Sequence, residues 1–76
     1  MRFTRNSRKH RIGRAHAWHV MGAWPATEYP APEGAPGDRR WLWIGTDDRG
    51  LELEVIAVET TDLVLVIHVM PTDLRR

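Results

Sequence analysis

Leu63 to Met70 reads LVLVIHVM, seven apolar residues and one histidine in eight positions with no Gly or Pro. Val and Ile, whose branched side chains suit a pleated strand, dominate it. A surface strand would alternate apolar and polar residues, and this one does not. It therefore reads as a strand covered on both faces and central in its sheet. Eight residues are too few to span a membrane. His68 is the single interruption, so it is the first residue whose purpose needs a reason.

Working back from that strand, Leu51 to Val58 (LELEVIAV) alternates. Leu51, Leu53, Val55 and Ala57 point one way, and Glu52 and Glu54 the other. Asp47 to Gly50 (DDRG) is a hairpin turn, with Gly50 free to take positive φ. Before it, Arg39 to Thr46 (RRWLWIGT) reads as a strand with Trp41 and Trp43 on one face and Leu42 and Ile44 on the other. These three strands, spanning 40–46, 51–58 and 63–70, form an antiparallel meander that Pro71 ends.

The first third has a different period. Ile12, Ala15, His16, His19, Val20, Ala23 and Trp24 recur at three- and four-residue steps, which predicts a helix over roughly 11–24. Asn6 and Ser7 are available to cap it, and Pro25 stops it. Arg2 to Arg5 (RFTR) alternates and reads as a short edge strand. Pro25 to Gly37 (PATEYPAPEGAPG) is a loop by composition. The predicted fold is α+β in a single domain over 1–76, with one helix covering one face of a three-stranded sheet.

The net charge of +1 conceals an asymmetry. Residues 1–24 carry Arg2, Arg5, Arg8, Lys9, Arg11 and Arg14 without any acid, while the remainder is acidic on balance. A basic first third suits RNA, an acidic protein partner, or simply a solvated face. Guanidinium forks match phosphate oxygens, so Arg8, Arg11, Arg14, Arg39 and Arg75 are the candidate RNA-binding residues. Without cysteine there is neither a disulfide framework nor a thiolate zinc site, which fits a reducing cytoplasm. The basic N-terminus lacks a following apolar run, so no signal peptide is expected.

The histidines are His10, His16, His19 and His68. His16 and His19 share a helix face, but no helix carboxylate is near in sequence to complete a metal set, so no metal or other cofactor is expected. His10 sits among Arg8, Lys9 and Arg11, whose charge favours its neutral, basic form. His68 reads either as a core histidine satisfied by a hydrogen bond or as an acid. Trp41 and Trp43 could stack bases beside Arg39 and Arg40, or fill the thin core.

Lys9-His10, Arg40, Ile44-Gly45, the Asp47–Gly50 turn and the last two strands, in this order, resemble the BrnT-like toxins of the RelE/ParE-like toxin–antitoxin superfamily. His16-Ala17 and Met21 are similar to a sister domain of that superfamily. The resemblance implies a growth-arresting, metal-independent endoribonuclease toxin, cytoplasmic and neutralised by a cognate antitoxin, with RNA as substrate, free or on the ribosome. It implies Lys9, His10 and Arg40 as catalytic residues. Where BrnT-like chains carry Ser-Ala-Arg at the end of the last strand, this chain has His68, Val69, Met70 and Pro71, so His68 or Arg75 would stand in. In metal-free RNA cleavage a base takes the 2′-hydroxyl proton, cations hold the phosphate charge and an acid protonates the leaving oxygen. His10, Lys9 with Arg11 and Arg40, and His68 match those roles. The competing reading is a non-catalytic interaction module that holds RNA or an acidic protein through its basic first third. A domain of this size commonly leans on a partner or a multimer.

Overall fold

A computed structural model describes residues 1–5, 12–29 and 39–75. The elements in chain order are β1 (Arg2–Phe3), α1 (Arg14–Ala23), β2 (Thr27–Tyr29), β3 (Arg39–Thr46), β4 (Glu52–Glu59), β5 (Val64–Pro71) and a 3₁₀ turn (Thr72–Arg75). The strands form one mixed sheet in the order β1-β5-β4-β3-β2. β1 runs parallel to β5, and the other neighbours are antiparallel. The result is an α+β domain whose five-stranded sheet holds the three expected meander strands, a short edge strand at Arg2–Phe3 where the alternation of Arg2 to Arg5 suggests one, and a further strand, β2.

The helix starts later than its apolar period suggests, because Gly13 holds extended backbone (φ −66°, ψ 152°) at its N-cap. Asn6 and Ser7, the expected caps, lie outside the described residues. At the other end Trp24 is extended (φ −121°, ψ 146°), as a residue before proline must be, while its N–H still reaches Val20 O at 3.0 Å. Ala17 and Val20 press onto Leu53, Val55, Ala57, Val66 and Val69, and these seven side chains are the buried core. Phe3, Ile12, Met21, Trp43, Leu51 and Val64 close around it.

β5 departs from the expectation in two ways. It lies second in the sheet, between β1 and β4, so the centre belongs to β4. Nor is it covered on both faces: Val66 and Val69 are buried, while the other residues of the strand are half-buried. The three-residue step between the two buried residues, Val66 and Val69, has a mechanical cause. Ala57 pairs with Val66 but Ile56 pairs with His68, so Ile67 is an extra residue in a β-bulge. A bulge reverses the phase of a strand. Val64, Val66 and Val69 thereby all face the helix, while Leu65, His68 and Met70 face the other way. The strand also includes Pro71 as its last residue.

The loop expected over Pro25–Gly37 contains β2, which pairs Thr27, Glu28 and Tyr29 with Leu42, Trp41 and Arg40. Three residues flanked by prolines carry too little pattern to announce a strand; pairing with β3 makes them one. The hairpin turn is as expected, with Gly50 at φ 84°. Asp47 builds that turn. Its buried carboxylate accepts N–H bonds from Arg49 (2.8 Å) and Leu51 (3.0 Å) and pairs with the Arg49 guanidinium at 2.7 Å.

Candidate functional site

Strand register sorts the candidate residues between the two sheet faces. Trp41, Trp43 and Gly45 oppose Ala57, Val55 and Leu53, the core side, where the helix sits. Arg40, Leu42 and Ile44 oppose Val58, Ile56 and Glu54, on the face that no described helix covers. His68 pairs with Ile56 and Leu65 with Val58, so both project from that same face. Arg40 and His68 thus emerge together, two strands and one row apart. At about 4.8 Å per strand and about 6.8 Å per row, their Cα atoms are roughly 12 Å from each other.

Arg2 joins them. It pairs with Leu65 in β1, so one row across the open face reads Arg2, Leu65, Val58, Arg40. Nothing in the sequence around Arg2 points to this site. Its place depends on a parallel pairing between the first and last strands, which leaves no local signature. His68 stands one row along, on β5, and across the sheet it lies between the strands that carry the two arginines. Two guanidiniums flanking an imidazole can hold a phosphodiester and exchange a proton with it.

Other candidates fall elsewhere. Arg39 turns to the helix side, with its guanidinium 4.8 Å from the Trp41 ring centre and 3.3 Å from Glu28. Adjacent in sequence, Arg39 and Arg40 therefore serve opposite faces. Arg14 lies on the helix, 5.7 Å from the Phe3 ring centre. Arg75 ends the 3₁₀ turn after β5, its side chain outside the described residues. Arg8, Lys9, His10 and Arg11 also lie outside them. Trp41 and Trp43 do not stand beside Arg40 as base-stacking rings. They are half-buried on the helix side, where with Met1, Met21, Ala26 and Val64 they line an apolar cleft of about 320 Å³. The Trp41 Nε1–H donates to Glu59 at 3.2 Å.

The helix histidines meet carboxylates only through tertiary structure. His16 Nδ1 lies 2.5 Å from Asp48 Oδ1 and 4.0 Å from Asp47 Oδ2, bringing three metal-ligating groups together. Asp47 is already occupied by Arg49 and two backbone N–H groups. Burial would raise its carboxyl, but those hydrogen bonds outweigh it and hold the group below its ordinary value. The hydrogen bond from His16 lowers the Asp48 carboxyl likewise. The cluster is a fastening between helix and turn: a bound cation would have to displace Arg49's charge. Among the described residues no helix is long and apolar enough to cross a membrane.

No protein-family model, curated protein or solved structure matches this chain.

Proposed function

We propose that the chain is the toxin of a toxin–antitoxin pair, a RelE/ParE-like, metal-independent endoribonuclease held in check by a cognate antitoxin in the cytoplasm. The observation that supports this reading is that Arg40 and His68 share the helix-free sheet face, with Arg2 in the row of Arg40. Arg40 and Arg2 would hold the phosphate charge that grows in the transition state, and His68 would protonate the leaving oxygen. The base remains His10, as the resemblance implies, aided by Lys9.

The same face supports a second reading. Leu42, Ile56 and Met70 are half-buried there, and Ile44 is 40% exposed. A face that is apolar around its charges suits a non-catalytic module that grips a protein partner.

RNA cleavage by the purified protein in chelator separates the two. Arg40→Ala should slow cleavage about 10²- to 10³-fold, the usual cost of losing one group that stabilises transition-state charge. His68→Gln and His10→Ala should each cost about 10²- to 10⁴-fold while circular dichroism shows a folded chain. If the native protein leaves RNA intact, with and without ribosomes, the enzyme reading fails and the interaction module replaces it.

A further inference from the structure

Trp18 is 55% exposed and Met1 57%, although large apolar side chains are ordinarily covered. They stand together, the Trp18 Nε1–H directed at Met1 Sδ at 3.3 Å. Behind them lies Phe3, its ring centre 6.5 Å from that of Trp18 at a tilt of 47°. The Arg14 guanidinium covers Phe3 at 5.7 Å. Packing against Phe3 accounts for part of the indole and leaves more than half of it in water. Its surroundings in the chain are wholly basic: six cations and no acid occur in residues 1–24.

We propose that Trp18, backed by Phe3 and Arg14, is a stacking platform for one base of a single-stranded RNA. The proposal deepens the RNA reading above and rests on it. Bases stack on aromatic rings regardless of sequence, and neighbouring guanidiniums take the phosphates. Charge complementarity selects a polyanion. Between polyanions, the form of the patch favours a base over an acidic peptide. An apolar side-chain anchor wants a socket; the apolar cleft reaches Met1 beside Trp18, but Trp18 itself does not line it. A flat base wants an open ring, which Trp18 offers. From Trp18 the strand would cross β1, only two residues long, and meet Arg2 on the face of His68. The platform would thus hold a nucleotide flanking the one on the open face.

The test uses a fluorescein-labelled twelve-nucleotide oligouridylate with 2′-O-methyl groups, which a nuclease using the 2′-hydroxyl leaves intact. Fluorescence anisotropy gives the affinity of native protein, Trp18→Ala, Trp18→Leu and Trp18→Phe, each checked for folding by circular dichroism. Loss of one stacked base should weaken binding about 5- to 150-fold in the Ala and Leu variants. Phe should stay within a few-fold of native. Arg14→Gln should lower the salt slope by about 0.7, the single-strand value for one phosphate contact. If Trp18→Ala does not fold, Trp18→Leu decides, because it keeps an apolar contact with Phe3. The platform is overturned if Trp18→Leu binds as tightly as native. It is equally overturned if native protein ignores the oligonucleotide, or prefers a poly-glutamate peptide of the same charge. Cleavage of unmodified RNA is scored separately. Undiminished cleavage with an unaffected Trp18→Leu affinity removes the platform alone. Binding that depends on Trp18 without any cleavage removes the nuclease reading alone.

Discussion

Gly45 should not tolerate even one added methyl group. A Cβ built there would lie 2.3–2.4 Å from Cδ1, Cγ and Cδ2 of Trp24, whose indole lies against the glycine and donates from Nε1 to Thr46 O at 3.1 Å. Gly45→Ala must therefore push the ring away. Trp24 is 41% exposed, so more than half of its surface is covered. Losing half of that cover, on the order of 75 Å², costs about 2 kcal/mol at about 25 cal/mol per Å². The hydrogen bond adds about 1 kcal/mol. Alanine returns about 0.4–1 kcal/mol by restricting the unfolded chain. The net loss is about 2 kcal/mol, which lowers the melting temperature of a domain this small by about 8–16 °C. Circular dichroism melts of native, Gly45→Ala, Trp24→Ala and the double variant measure it. With Trp24 already removed, Gly45→Ala should be neutral or slightly stabilising. An equal loss in both backgrounds would show that the cost of the methyl does not come from the indole.

Acid should weaken the fold through the hairpin turn. The Asp47 and Asp48 carboxyls both titrate below their ordinary 3.8. Their contribution is therefore complete above about pH 5 and drains as pH falls through the folded values. Asp47→Asn should be less stable than native by about 1.5–3 kcal/mol at pH 7, with the gap narrowing by pH 3, as urea melts at the two pH values would show. A constant gap contradicts the assignment. Leu53→Ala, in the fully buried core, should cost about 2–5 kcal/mol in the same melts. Deleting Ile67 removes the bulge yet leaves Val64, Val66 and Val69 in phase toward the helix. That variant should keep a cooperative transition within about 2 kcal/mol of native, the worth of a half-buried isoleucine. A non-cooperative melt would show that the bulge itself is needed for folding.

Sequence alone determined whatever depends on a short period. Trp41 and Trp43 share one face and Leu42 and Ile44 the other because a strand alternates strictly, and β3 keeps that phase throughout. The three- and four-residue steps from Ile12 to Trp24 announce a helix and Pro25 its end, but the face it buries is set by packing: Ala17, off that series, is buried with Val20, while Ala15, His19, Ala23 and Trp24 are exposed. The Asp-Asp-Arg-Gly turn announces itself through the left-handed freedom of Gly50. Arg40 and His68 were legible as candidates by residue type, but their common face was not. A bulge at Ile67 inverts the phase of β5, and only pairing with β4 reveals where the extra residue sits. Pairing likewise created β2 out of three residues, joined β1 to β5 and so brought Arg2 into line with Arg40. It carried Asp47 and Asp48 to His16, although 32 residues separate His16 from Asp48. These contacts join distant segments, and their free energy arises from surfaces that meet only after the chain has folded back. A periodicity written in neighbouring residues carries no record of them.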